Sequence, residues 1–254
     1  MYAEERQQAI ADLVARRGRL SVQALAAEYA VTTETVRRDL SMLERVGILR
    51  RVHGGAVPAA AIAHLGLEGD RDLAHADQKD RIAKTAVGYL PPSGGSMVLD
   101  AGTTTARLAM LLPREVQLTV LTNAVPIAAR LAGSPSVDLH LLPGRVRPTT
   151  HAAVGEDTVA ALGRLRADVA FVGSNGLSTG HGLSTPDHAE AAAKRAIVAS
   201  AHQVVVLIDS SKIGQEHTVR FAELADVDVV ITDSDIDPAD LEALRRLDVE
   251  VVVA

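Results

Sequence analysis

The chain of 254 residues contains no cysteine, which excludes disulfides, thiolate catalysis and cysteine-ligated zinc. Aromatic residues make up 2% of it and none is interleaved with the arginines, so it offers no platform for stacking RNA bases. No run of 18 or more uncharged apolar residues occurs, and no membrane span is expected. The opening MYAEERQQAI is charged and lacks the apolar core of a signal peptide. A soluble, cytoplasmic protein without membrane contact is therefore expected. Excess positive charge is lacking too, since the formal net charge is −6.

What is present is unevenly placed. Residues 1–57 hold nine Lys/Arg against seven Asp/Glu, leaving 17 against 25 for the rest. A nucleic-acid footprint depends on such a distribution more than on the total. Three helical patterns lie in this basic part. The first carries Ile10, Leu13 and Val14 on one face and is closed by Gly18. The second starts at Ser21, a good N-cap, and spaces Val22, Leu25, Ala26 and Tyr29 as one buried stripe. After a short break, Thr32 or Thr33 caps a third helix with Val36, Leu40 and Leu43 inward. At 100° per residue, Glu34, Arg37, Arg38, Ser41 and Arg45 fall on the opposite face.

Two helices joined by a tight turn, the second with a basic outer face, match helix-turn-helix geometry. Arginine suits it, because its fork can grip guanine O6 and N7. The stretch ILRRVHGG that follows Gly47 reads as a ribbon, a wing that puts Arg50, Arg51 and His53 near phosphates. Ser21, Thr32, Thr33, Thr35, Arg37, Arg38, Ser41, Arg45, Arg50, Arg51 and His53 are thus the expected contacts to double-stranded DNA.

The stretch VTTETVRRDLSMLERVGILRRVHGGAV resembles the signature of the DeoR family of bacterial transcriptional repressors. The resemblance implies a winged helix-turn-helix and a C-terminal sensor domain that binds a phosphorylated sugar or sugar derivative.

Residues 57–77, VPAAAIAHLGLEGDRDLAHAD, show no sustained period. They read equally as a linker or as an ordered arm on the large domain. From Gln78 helical and strand patterns alternate. SMVLD, VQLTVLT, VDLHLLP, ADVAFVG, QVVVLID, VDVVITD and VEVVVA are the strands, which predicts a mostly parallel sheet with helices on both faces. Domains are expected at 1–57 and 78–254, with 58–77 between them.

Ligands of such sheets bind beyond the carboxyl ends of the strands. There the sequence gathers Asp100-Ala-Gly-Thr-Thr, Thr122-Asn123, Gly144-Arg145, Ser174-Asn175-Gly176 and Asp209-Ser-Ser-Lys212. Gly102 with its threonines at a helix start makes an anion cradle, and Lys212 and Arg145 could neutralise a phosphate.

The family resemblance continues through DAGTTT, LTN, LPGRVRP, FVGSNG, GLSTPDHAEAAAKRAIV and DSSKIG. It implies a domain related to ribose-phosphate isomerases and CoA transferases. By that likeness Asp100, Gly102, Thr103, Thr104, Asn123, Gly144, Arg145, Asn175, Gly176, Glu190 and Lys212 are effector-binding residues, and Lys194 matches the lysine of the E-A-x-x-K run. Pro143 stands where the family usually has glycine, which stiffens the loop of Arg145. Similarity to the fructose-utilisation repressors of the family implies a fructose phosphate as effector.

The competing class is a sugar-phosphate isomerase-like enzyme with an accessory DNA-binding domain, Glu190 acting as base beside Lys212. No further partner constellation accompanies that pair, so the chain reads as a regulator. DAGTTT is not the G-x-G-x-x-G of a dinucleotide site, and no cofactor is expected. His181, Asp187, His188 and Glu190 read as loop polar residues, not as a metal site. Specific binding by a single winged domain usually needs repeated half-sites, so a homo-oligomer is expected.

Overall fold

The computed structural model describes residues 6–7, 9–11, 13–14, 20–45, 49–52, 55–58 and 72–254; the side chains of 45, 50–52, 57 and 58 are not described. The chain forms two compact units, Met1–Gly69 and Asp70–Ala254.

In the first unit, positions 6, 7, 9–11, 13 and 14 are helical. Then come β1 (Leu20–Ser21), α1 (Val22–Glu28), α2 (Thr33–Arg45), β2 (Leu49–Val52) and β3 (Gly55–Pro58). Ile10, Val14, Leu25, Val36, Leu40, Leu43 and Leu49 share one core, which joins the apolar stripes of all three helical patterns. The Ser21 side chain caps α1 by accepting from the Ala24 amide at 3.0 Å. Thr32, not Thr33, precedes α2, and its Oγ1 accepts from the Thr35 amide at 3.2 Å. Between the helices Ala30 takes a left-handed φ of 50°, the tight turn that separates them. The wing is three-stranded, in the order β1-β3-β2. Gly55 pairs with Ser21 there, and a Cβ at Gly55 would lie 2.1 Å from the Leu20 carbonyl oxygen. That strand is missing from the sequence reading because two residues carry no periodicity.

The second unit centres on seven parallel strands. These are β4 (Ser96–Leu99), β5 (Leu118–Thr122), β6 (Val137–Leu141), β9 (Ala167–Gly173), β12 (Ala201–Leu207), β14 (Val229–Thr232) and β15 (Glu250–Val253). Their spatial order is β15-β14-β12-β9-β4-β5-β6. Alternate residues of the five inner strands enter opposite layers. Met97, Leu99, Val120, Phe171, Val205 and Ile231 pack under α3 (Ala76–Ala86), α4 (Thr103–Met110) and α5 (Val125–Leu131). Val98, Leu121, Val172, Val206 and Val230 pack under α6 (Glu156–Leu162), α7 (His188–Ala199) and α8 (Pro238–Arg245). Full burial of one such side chain stabilises by about 1.5–3 kcal/mol.

Beyond the parallel sheet lie a β7 (Arg145–Val146) and β8 (Ala153–Val154) pair, and an antiparallel sheet of β10 (Gly176–Ser178), β11 (Gly182–Thr185) and β13 (Val219–Ala222). These antiparallel pieces, two to four residues long, are too short to carry a period that sets them apart from loops in the sequence.

Residues 72–75 belong to the second unit and are held against its helices. Arg107 of α4 donates to the Asp72 carbonyl at 3.1 Å, and the Lys79 ammonium of α3 donates to the Ala74 carbonyl at 2.6 Å. Here the segment behaves as an ordered arm; residues 59–71 lie outside the described residues.

Candidate functional site

The outer face of α2 is basic and open. Arg37 and Arg38 have side chains 56% and 82% exposed, and both lie loosely beside Glu34, at 3.6 and 3.9 Å. Pairs this exposed hold their charges weakly, so the arginines are available to a more concentrated anion. Ser41 donates to the Arg37 carbonyl at 2.8 Å, one turn back. Thr33 is exposed and Thr35 half-buried, both in the first turn of α2. The inner face holds a polar anchor that the sequence reading passed over. Asp39 is 3% exposed and accepts from Arg6 Nε at 2.6 Å and Gln7 Nε2 at 2.9 Å. It therefore ties α2 to the first helical segment and fixes how the basic face points. Its spacing, three residues after Val36 and one before Leu40, is the inward position of the helix. Of the expected wing contacts, Arg50 and Arg51 lie on β2 as pair partners of Val57 and Ala56. Their side chains, that of Arg45, and His53 are outside the described residues.

The second site forms where the order of the parallel strands reverses. β4 runs on to β5 on one side, whereas β9 lies against its other edge and leads to β12. Crevices at such switch points receive ligands. The turn after β4 and the turn after β9 here face one cleft, lined by Gly102, Thr103, Thr104, Asn175, Glu190 and Lys212 among others. Gly102 precedes α4 with no side-chain cap, leaving the first-turn amides of Thr103 and Thr104 to the cleft. Lys212 stands on a short 3₁₀ turn, its ammonium 3.0 Å from Asp209 Oδ2. Burial alone would raise the Asp209 carboxyl, but Lys212, Ser211 and Lys79 outweigh it and hold the group below the usual range.

The floor of the cleft is ionic. Asp100 and Lys194 are 1% and 6% exposed and pair directly. Asp100 also accepts from the Gly173 amide at 3.0 Å, and Lys194 donates to the Gly173 carbonyl at 2.8 Å. Burial pushes the Asp100 carboxyl upward, while Lys194 and the amide pull it back. Glu190 stands alongside with both oxygens engaged. One accepts from Thr185 at 3.1 Å and the other meets the Arg147 guanidinium. Each oxygen keeps a further lone pair and Glu190 lines the cleft, so Thr185 and Arg147 hold the carboxylate in place without using it up. Asp187 caps α7 by accepting from the Ala189 and Glu190 amides at 2.9 Å and pairs with Arg147 at 3.0 Å. His181 is turned to the His217 carbonyl at 3.0 Å.

Other expected residues sit elsewhere. Asn123 is buried and spans two loops, accepting from the Ala101 amide and donating to the Ala153 carbonyl, both at 3.1 Å. It shapes the cleft wall from behind. Gly176 packs in β10, where a Cβ would come within 2.4 Å of the Gln215 carbonyl oxygen. Gly144 has φ +139° and a Cβ there would lie 2.2 Å from Thr158 Oγ1, so the position is one of backbone fit. Arg145 is exposed and is not among the residues lining the cleft, whereas Arg147, two residues on, reaches Glu190. No sequence signal separates the two arginines, since their i, i+2 spacing would place them alike on a strand. Thr150, also unmarked in the sequence, joins the lining.

Residues 6–60 match the DeoR-like helix-turn-helix domain, and residues 74–234 match the DeoR C-terminal sensor domain. Among curated relatives, the HTH-type transcriptional regulator GlpR of Haloferax volcanii is 34% identical over 99% of this chain and 98% of its own. The uncharacterized HTH-type transcriptional regulator FruR of Bacillus subtilis is also 34% identical, over 92% of this chain and 93% of its own. Ribose 5-phosphate isomerase A of Methanocaldococcus jannaschii is a fold neighbour at 18% identity and a TM-score of 0.41, covering 55% of each chain. Both of these relatives are named transcriptional regulators. With a helix-turn-helix unit, a seven-stranded parallel sensor unit and sequence likeness running through both, the chain belongs to the DeoR family of DNA-binding transcriptional regulators.

Proposed function

We propose that this regulator represses a sugar-utilisation operon and is released from its operator by a phosphorylated sugar. The observation that carries the effector reading is the cleft at the β4–β9 switch point, where the Gly102–Thr104 helix start, Asn175 and Lys212 share one lining. Free amides at a helix start and a cationic side chain are what a phosphate monoester needs. Hydroxyls of the sugar would lie toward Asn175 and Glu190, above the Asp100–Lys194 floor. Asn123, Gly176 and Gly144 would act by shaping these walls, and Arg145 from the rim. Fructose 1-phosphate is the first effector to test, on the likeness to the fructose repressors; GlpR and FruR are equally similar, so other phosphates belong in the panel.

On the DNA side, Arg37, Arg38, Ser41 and Arg45 would enter the major groove. Ser21, Thr32, Thr33 and Thr35 at the two helix starts, and Arg50, Arg51 and His53 of the wing, would meet phosphates. Residues 1–57 would carry DNA binding and 78–254 sensing, in a cytoplasmic homo-oligomer.

The test is operator release, read by fluorescence anisotropy at fixed salt while sugar phosphates are titrated. Wild-type protein should lose operator affinity on effector addition, whereas Lys212→Ala should bind the operator equally well yet fail to respond. Release of that variant at the wild-type effector concentration would show that the phosphate sits elsewhere. Failure of every phosphate in the panel would remove the effector assignment and leave the family membership standing.

A further inference from the structure

Residues 72–75 stand where the chain enters the second unit, and polar grips hold that arm rather than apolar packing. Leu73 is 71% exposed, and Ala74 and His75 are exposed too. Two buried cations do the holding. Arg107 of α4 pairs with the Asp72 carboxylate and donates to the Asp72 carbonyl at 3.1 Å. Lys79 of α3 donates to the Ala74 carbonyl at 2.6 Å. His75 then leads into α3 with a left-handed φ of 55°, a conformation that surrounding contacts must maintain in a residue with a Cβ.

Both grips also reach the cleft. Arg107 lies one turn along α4 from Thr103, which lines the cleft, and its Nη1 is 3.5 Å from the Thr103 carbonyl oxygen. The Lys79 ammonium feels the charges of Lys212 and Asp209 on one hand and of Arg107 and Asp72 on the other. Lys212 lines the cleft and stands 3.0 Å from Asp209. Alternating charges thus run from the cleft to the arm, through Lys212, Asp209, Lys79, Asp72 and Arg107. A phosphate on Lys212 competes with Asp209 for that ammonium. Asp209 is 1% exposed, and a buried carboxylate that loses one cation draws on the next, here Lys79. An ammonium drawn toward Asp209 holds the Ala74 carbonyl less well.

Resting on the sugar-phosphate reading above, we propose that residues 72–75 are the latch of the switch: Arg107 and Lys79 hold the arm in the state that binds the operator, and an effector phosphate loosens it. A held arm fixes where the chain toward the winged unit begins. A loosened arm leaves that start free to vary, and paired wings then meet their half-site spacing only at a cost in conformational entropy.

The experiment compares Asp72→Asn with Asp80→Asn. Asp80 of α3 also pairs with Arg107, at 2.8 Å, and is about as exposed as Asp72, but it is not part of the arm. Both variants remove one carboxylate from the same guanidinium, so their long-range charge effects on DNA and on phosphate are matched. Operator affinity is read by fluorescence anisotropy, and the affinities for fructose 1-phosphate and glycerol 3-phosphate by calorimetry. Asp72→Asn should weaken operator binding without ligand by about fivefold, the low end of such couplings. It should bind the ester that releases wild type more tightly, because that ester no longer has to open the arm, and the further effect of the ester on operator binding should shrink. Asp80→Asn should stay within about twofold of wild type throughout, as an exposed carboxylate outside the arm would. Wild-type values for Asp72→Asn overturn the latch and leave the effector reading intact. Equal changes in the two variants also overturn it, since they report charge alone. Loss of operator and ester binding together in Asp72→Asn overturns it as well, because that reports damage to the fold and not a shifted balance. If neither ester releases wild type, the effector reading falls and this assignment with it.

Discussion

Lys79 is a cation on a buried helix face, 2% exposed, with the Ala74 carbonyl 2.6 Å from its ammonium. Burial, and then the positive charge of Lys212, lower its pKa from 10.5 to about 8. The unfolded chain therefore holds more protons than the folded one between these values, and stability from this group rises with pH across that window. It is complete above about 10.5 and is lost as pH falls through about 8. Lys79→Met removes the titration. Urea denaturation at pH 7, 9 and 10.5 should show the stability difference shifting toward wild type as pH rises; a constant difference would mean that Lys79 titrates normally. Asp100 and Lys194 beneath the cleft form a buried ion pair. Such buried pairs fix geometry more than they add stability.

Elements turn these residues into surfaces. On α2 the buried Asp39 faces Arg6 and Gln7, and Arg37 lies on the exposed side. Arg37→Ala should weaken operator binding by about 1–3 kcal/mol if it reads a base edge, with much less effect on random duplex. Equal loss on both DNAs would assign it to phosphate instead. The loop between β6 and β7 makes the opposite case. Gly144 adopts φ +139° and a Cβ would collide with Thr158 Oγ1 and approach the Val154 carbonyl oxygen at 2.9 Å. Thr158 Oγ1 also donates to the Pro143 carbonyl at 2.6 Å, so it has little room to yield. Gly144→Ala should destabilise the sensor unit by about 1–3 kcal/mol in thermal or urea unfolding. An unchanged melting point with lost effector response would make Gly144 a ligand residue after all.

At the level of the whole molecule, one winged unit contacts only a short site, so a homo-oligomer on repeated half-sites is expected. Light scattering at micromolar concentration should give a mass above the 26.7 kDa of one chain. A monomer that keeps tight operator binding would contradict this. If effector and operator are coupled, the coupling is reciprocal and of about 1–3 kcal/mol, so operator DNA should weaken effector binding by the same factor.

The sequence by itself determined the elements that obey a period. Five apolar runs became the inner strands, because a strand covered on both faces is apolar, and VDLHL and EVVV became the half-exposed edge strands β6 and β15. The stripes Ile10/Val14, Leu25 and Val36/Leu40/Leu43 became one core, and Arg37 and Arg38 were left outside it by 100° geometry. Asp39 and Lys79 were legible in principle, since both stand at inward positions of amphipathic helices. Tertiary structure alone decided the rest. Strand order brought the loop after β9 beside the turn after β4, and no local pattern encodes which parallel strands are neighbours. It turned Arg147 to Glu190 while leaving Arg145 in solvent, gave Asn123 and Gly144 to packing, and enclosed the Thr150 hydroxyl. Each of these depends on contacts between residues far apart in the chain, whose energies a linear pattern does not contain.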